Sequence, residues 1–217
     1  MKSQTITALT QSEGLSSNLR DITWVETNIP CQVACPAGTD IPGYIEAINH
    51  GRLDEAYTIN FRDNIFPGVL GRVCARPCED ACRHGRPSNG DSVAICSLKR
   101  SSHDLGGVLR TLPKIKPSSG HRIAVIGAGV AGLATARDLA LDGHKVVVYE
   151  KHHRPGGMMV QGIPSFRLPR DVIELEIDQV LSLGIDLKCG VSIGDDESLD
   201  SLVESYDAVV LAAGTLS

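Results

Sequence analysis

Six of the seven cysteines fall between Cys31 and Cys96, and only Cys189 lies outside that stretch. A disulfide framework would need an oxidising compartment. The N-terminus, MKSQTITALTQSEG, carries no apolar core of a secretory signal, so a cytoplasmic location is expected and the cysteines read as metal ligands. They come as Cys31-x3-Cys35-Pro36, Cys74-x3-Cys78-x3-Cys82 and Cys96. Spacing of i, i+4 brings thiolates to one side of a turn, close enough to share a metal site. Proline directly after a cysteine also occurs in bacterial ferredoxins, where it removes a backbone donor and stiffens the chain. Zinc is the competing metal, but structural zinc sites favour C-x2-C knuckles, and none is present. Buried free thiols are the remaining reading.

The rest of the chain divides by pattern. Residues 1–28 are polar and weakly periodic and read as an arm, ordered against a partner. Residues 29–112 read as short helices and turns. Ile41, Ile45 and Ile48 share a helical face ended by Gly51, a second helix runs from Asp54 to Phe61, and a third begins near Val93. Residues 113–120, PKIKPSSG, have linker composition. Residues 121–217 alternate strand and helix: strands at Ile123–Ile126, Lys145–Tyr149, Ile185–Lys188 and Asp207–Ala212, with helices to Leu141 and over Asp171–Leu183. The expected fold class is therefore α plus α/β, a small helical domain followed by a parallel sheet of partial Rossmann type. No apolar run approaches the roughly 18 residues of a membrane span, and a net charge of −5 argues against nucleic acid.

Gly127-Ala128-Gly129-Val130-Ala131-Gly132 follows the first of these strands and opens a helix, with Glu150 at the end of the second strand. In that context Gly127 permits a tight turn, Gly129 lets a pyrophosphate approach the backbone, and Gly132 lets helix and strand pack closely. The helix N-terminus favours phosphate, and Glu150 is placed to accept from a ribose. The motif alone does not separate FAD from NAD.

The segments CxxxCPxxxDIPxYI, from Cys31 to Ile45, and GRVCxxPCExxC, from Gly71 to Cys82, resemble the N-terminal iron–sulfur domain of the glutamate synthase small subunit. Similar domains open dihydropyrimidine dehydrogenase and the large subunit of the NADH-dependent ferredoxin–NADP transhydrogenase. The resemblance spans about residues 25–217. It implies [4Fe–4S] chemistry, with Cys35, Cys74 and Cys78 on one cluster. The fourth ligand of relatives, a Gln or Glu, matches Lys99, which cannot ligate; Cys96, three residues earlier, is the candidate substitute. Relatives often hold a second cluster, completed by a cysteine pair ahead of Cys31. Residues 21–30 hold no cysteine, so Cys31 and Cys82 form half of a second site, lost or completed by another chain. The resemblance also selects FAD: Gly157 in the Arg154–Met159 stretch, Gly162, Ile163 and Arg167 in GIPSFRLP, and Gly214 at the end of YDAVVLAAG match its FAD-binding segments.

These features imply an electron-transfer subunit that relays electrons between FAD and [4Fe–4S]. Relatives continue into an NADPH-binding domain, so a hetero-oligomer with other subunits of a redox complex is expected, with no NAD(P)H turnover by this chain alone. The rival readings are a docking subunit that binds a cluster without functional flavin, and a fragment of a longer oxidoreductase. Met158 and Met159 read as core residues and Cys189 as a buried or edge thiol. His50 and His84 read as turn residues, His152 and His153 are given no role, and most of Arg72, Arg76, Arg83 and Arg86 are expected in solvent. No catalytic residue stands out.

Overall fold

A computed structural model describes residues 28–106 and 113–215. The expected arm lies outside the described residues except for Asn28, as does the end of the helical region at 107–112. The helical part comprises α1 (Pro30–Ala34), α2 (Ile41–Asn49), α3 (Leu53–Asn64), α4 (Pro67–Val73), α5 (Pro77–Asp80) and α6 (Ile95–Leu105). Prolines sit in the first turn of α1, α2, α4 and α5, where the missing donor is harmless and the fixed φ favours helix entry. Asp40 caps α2 by accepting from Gly43 N at 2.9 Å. The inward face of α2 centres on Tyr44, with Ile41 and Ala47; Ile45 and Ile48 flank it, a rotation from the face expected of the isoleucines alone. Tyr44 wins the centre because its ring fills the core while its hydroxyl donates to Ile95 O at 3.1 Å. Between α3 and α4 the chain reverses at Ile65, φ 54° and ψ −40°, with Phe66 N donating to Asn64 O. This one-residue turn is costly for a β-branched residue.

The second part is a parallel sheet of β1 (Arg122–Ile126), β2 (Lys145–Glu150), β3 (Asp186–Cys189) and β4 (Ala208–Leu211) in the order β3-β2-β1-β4. The helices between strands are α7 (Val130–Leu141), α9 (Arg170–Leu181) and α10 (Leu199–Ser205), with a single turn, α8 (Met158–Gln161), before α9. Alternate strand residues serve opposite faces. Val125, Val146 and Val148 pack with α7 and α9, whereas Ala124, Val147 and Tyr149 pack with Leu202 of α10. The sheet is thus covered on both sides, as a parallel sheet requires.

The two parts share one core, because Tyr57, Phe61, Phe66 and Val69 of the helical part join the α7–α9 side of the sheet. Residues 113–120 run along the end of α7: Lys116 N donates to Leu141 O at 2.8 Å, Ser119 N donates to Gly143 O at 3.0 Å, and Lys116 pairs with Asp142 at 2.7 Å. The expected linker is a fastened strap. No helix among the described residues is long and apolar enough to cross a membrane.

Candidate cofactor sites

The cysteines occupy element ends, where backbone geometry can turn. Cys31 lies in α1 and Cys35 at its C-cap. Cys74 ends α4, Cys78 lies in α5, Cys82 follows α5, and Cys96 is the second residue of α6. Arg76 adopts a left-handed conformation, φ 65°, which starts α5 and lets its amide donate to Cys74 Sγ at 3.3 Å. Glu79 reaches back to accept from Cys96 N at 2.8 Å, tying α5 to α6.

Cys78 and Cys96 are buried in the core of the helical part, with Cys31, Cys35 and Cys74 packed at its edge; Cys82 is buried as well. The sulfurs sense one another. Burial pushes the Cys31 thiol up, and the charges of Cys82 and Cys78 add to the rise. Burial likewise pushes the Tyr44 phenol up, helped by Cys78, Cys96, Cys31 and Cys35. A hydrogen bond from the Cys96 thiol draws Cys78 down to about 7, against the opposing effect of burial, and the Lys99 ammonium adds to the lowering. Lys99 is only 4 % exposed, on the same buried face of α6 as Cys96. Among the described residues no three Cys, His, Asp or Glu side chains are arranged around a single metal ion. Cys78 and Cys96, with Cys31, Cys35 and Cys74 at the edge of the same small core, are the sulfur ligands this part of the chain offers an iron–sulfur cluster.

Arg72 departs from the expectation of solvent. Its side chain is 9 % exposed, pairs with Asp104 at 2.6 Å and donates to Gly68 O at 3.0 Å, bracing α4 against α6. Arg76, Arg83 and Arg86 are exposed.

The glycine loop has the geometry of a phosphate cradle. Gly127 lies at φ 105°, and a Cβ there would strike Ala212 O; a Cβ on Gly132 would strike Gly127 O. These two glycines are required by protein packing. Gly129 differs: its φ is −78°, and a Cβ would meet nothing nearer than Gly157 Cα at 3.9 Å. The space above Gly129 is open and would be filled by a side chain, which fits a bound pyrophosphate at the start of α7. Gly157, φ 51°, faces Gly129 across this opening, and Gly156 N donates to Ala128 O at 2.7 Å.

Glu150 is 5 % exposed and closes the back of the loop, accepting from Ala128 N at 2.8 Å and His152 N at 2.9 Å. A carboxylate retains further lone pairs for a ribose hydroxyl. Met159 is buried as expected, whereas Met158 is half exposed. Met158, Gly162 and Ile163 line a cavity of about 390 Å³ whose opposite wall is Phe66, Val69, Leu70 and Val73 of the helical part. Arg167 and Gly214 are exposed and do not line this cavity. Cys189 ends the edge strand β3, partly buried.

Sequence reasoning passed over Thr39, Asn64, Glu79, Glu176 and Arg137. Glu79 and Thr39 lie inside the two cysteine motifs and were legible there, Thr39 four residues from Cys35; Asn64, Glu176 and Arg137 make their decisive contacts with residues distant in sequence.

A cysteine-lined helical domain joined to a glycine-loop nucleotide domain defines an iron–sulfur flavoprotein of the oxidoreductase class. Residues 24–107 match the family described as dihydropyrimidine dehydrogenase domain II, 4Fe-4S cluster, and residues 122–159 match FAD dependent oxidoreductase. The chain is 45 % identical over 190 residues to the NADPH-Fe(3+) oxidoreductase subunit beta of Geobacter sulfurreducens, covering 85 % of this chain and 28 % of that one. It is 40 % identical over 208 residues to the NADP(+)-dependent formate dehydrogenase subunit beta of Moorella thermoacetica, covering 85 % and 29 %. To the glutamate synthase [NADPH] small chain of Azospirillum brasilense it is 36 % identical over 188 residues, covering 85 % and 39 %. The chain carries a 4Fe-4S cluster domain and an FAD oxidoreductase domain, these subunits are its homologues, and its cofactors are a [4Fe–4S] cluster and FAD. It spans well under half the length of these relatives.

Proposed function

We propose that the chain relays electrons between FAD at the Gly127–Gly132 loop and a [4Fe–4S] cluster held by Cys35, Cys74, Cys78 and Cys96, within a larger NAD(P)H-linked assembly. The observation that carries the reading is the course of α4. Its residues Val69, Leu70 and Val73 wall the cavity beside the glycine loop, and the next residue, Cys74, is a cluster ligand in this assignment. At about 1.5 Å per residue, seven residues of helix span about 10 Å, so the two sites are neighbours through one rigid element.

Flavin supplies the exchange between two-electron hydride chemistry and single-electron steps. The protein's part is to bind and orient. Gly129 and Gly157 would leave room for the pyrophosphate, Glu150 fixes the loop and would accept from the ribose, and Val130, Met158, Gly162 and Ile163 give the cavity an apolar lining. Cys31 and Cys82 are left over from the first cluster and make half of a second site, lost or completed by another chain. The chain prepared without oxygen is expected to carry iron and acid-labile sulfide, about four of each per cubane, with released flavin. Stoichiometric zinc without sulfide would overturn the cluster assignment; a cluster without flavin would leave a docking subunit.

A further inference from the structure

Cys35 Sγ lies 3.3 Å from Thr39 Oγ1, and Asn64 Nδ2 donates to the same Oγ1 at 2.6 Å. Thr39 is completely buried, and Asn64 is 6 % exposed. The two contacts fix the direction of the hydroxyl proton. A ligating cysteine is a thiolate and has no proton to give, and the amide of Asn64 already donates to Oγ1. The Thr39 proton therefore points to sulfur. Both partners are held: Asn64 ends α3 immediately before the tight turn at Ile65, and Thr39 precedes the Asp40 cap of α2. Asn64 also lines the cavity shared with the glycine loop, so this chain of hydrogen bonds runs from the cavity wall to a cluster ligand.

We infer that Thr39, oriented by Asn64, donates a hydrogen bond to the Cys35 thiolate and thereby sets the reduction potential of the cluster; the inference rests on Cys35 being a cluster ligand. A one-electron reduction adds negative charge to the cluster and its sulfurs. A donor aimed at one of those sulfurs stabilises the reduced form more than the oxidised form, so it raises the potential. Burial strengthens the effect, because no water competes for the hydroxyl or screens it.

The test uses the full chain with its cluster reconstituted anaerobically. Electron–nuclear double resonance of the reduced wild-type cluster in D2O is expected to show a strongly coupled exchangeable deuteron that disappears in Thr39→Val. In a redox titration followed by electron paramagnetic resonance, Thr39→Val, nearly isosteric but without the donor, should lower the midpoint by about 59 mV, a tenfold change in a one-electron equilibrium. Thr39→Ser, which keeps the hydroxyl, should stay within about threefold of wild type. An unchanged midpoint in Thr39→Val, or a deuteron signal that survives it, would overturn the inference. So would valine and alanine variants that load no cluster while serine does, since the hydroxyl would then serve assembly. Absence of iron and sulfide from the wild-type chain is a different result, and it would overturn the cluster assignment itself.

Discussion

The Glu176 carboxylate of α9 accepts the Gly68 amide at the head of α4 at 2.6 Å, and its second oxygen accepts from Val69 N at 3.0 Å. Glu176 is completely buried, and Tyr57 also donates to it at 3.2 Å. At the C-terminal end of α3, Arg137 of α7 donates to Phe61 O and Arg62 O at 2.8 and 2.9 Å. An anion at a helix start and a cation at a helix end both suit the helix dipole. The nucleotide domain thus caps two helices of the cluster domain.

Removing the anionic cap leaves buried amides unsatisfied. Glu176→Ala should cost about 1–3 kcal/mol for each buried amide it leaves unsatisfied. Because α4 ends at Cys74, the same variant should lose its cluster faster on exposure to air. Urea unfolding and the decay of visible absorbance measure the two effects; a loss below about 1 kcal/mol, the worth of an exposed pair, would show that the cap does not join the domains.

The glycines of the loop separate packing from binding. Gly132→Ala forces a methyl into Gly127 O and should lower the stability of flavin-free protein. A Cβ at Gly129 meets nothing nearer than Gly157 Cα at 3.9 Å, so the flavin-free fold of Gly129→Val should survive while flavin retention is abolished. Glu150→Ala removes the brace on Ala128 and His152 and should weaken flavin by about 1.5–3 kcal/mol, the range of a hydrogen bond to a charged group. Flavin stoichiometry after gel filtration, beside thermal melts of the apoprotein, distinguishes the cases.

Cysteine replacements test the cluster assignment. Cys96→Ser should reduce bound iron and sulfide strongly, because Cys96 is 1 % exposed and hydrogen-bonded to Cys78. Cys189→Ser, at the end of an edge strand, should leave both at wild-type levels. Equal loss in the two variants would show that the fourth ligand is elsewhere.

Much of this was legible in the sequence because the signals are local. The glycine loop, the strand before it and Glu150 after it lie within thirty residues of one another, and each strand appears within a residue or two of its expected limits. The two cysteine segments announced themselves by spacing. What stayed hidden depends on chain folding over long separations: Glu176 meets Gly68 across 108 residues, and Arg137 meets Phe61 across 76. On local pattern Glu176 is one acid in an amphipathic helix, and Arg72 one of several arginines near the cysteines. Nothing short of the packed structure shows either to be buried. The isoleucine face of α2 misled for a related reason, since the largest buried ring, Tyr44, also had a hydroxyl to satisfy.

The last prediction concerns acid. Asp104 at the end of α6 receives Arg72 from α4 at 2.6 Å, His103 at 2.9 Å and Arg100 at 2.9 Å. Burial alone would push its carboxyl up, but the hydrogen bonds from Arg72, His103 and Arg100 outweigh it and hold the group well below the usual carboxylate range. A carboxyl with a depressed pKa in the folded state contributes stability that is fully present above its unfolded value, about 3.9. That stability is lost as pH falls from there toward the folded value, where the native carboxylate takes up its proton. Asp104→Asn should therefore melt about 2–4 °C below wild type at pH 7, with the gap closing below about pH 4. Because Asp104 is partly exposed and water screens its pairs, the difference should also shrink in high salt. Melting curves from pH 7 to pH 2.5, at low and high ionic strength, decide the matter. A gap that is constant with pH would mean that Asp104 braces α4 against α6 by packing and not by charge.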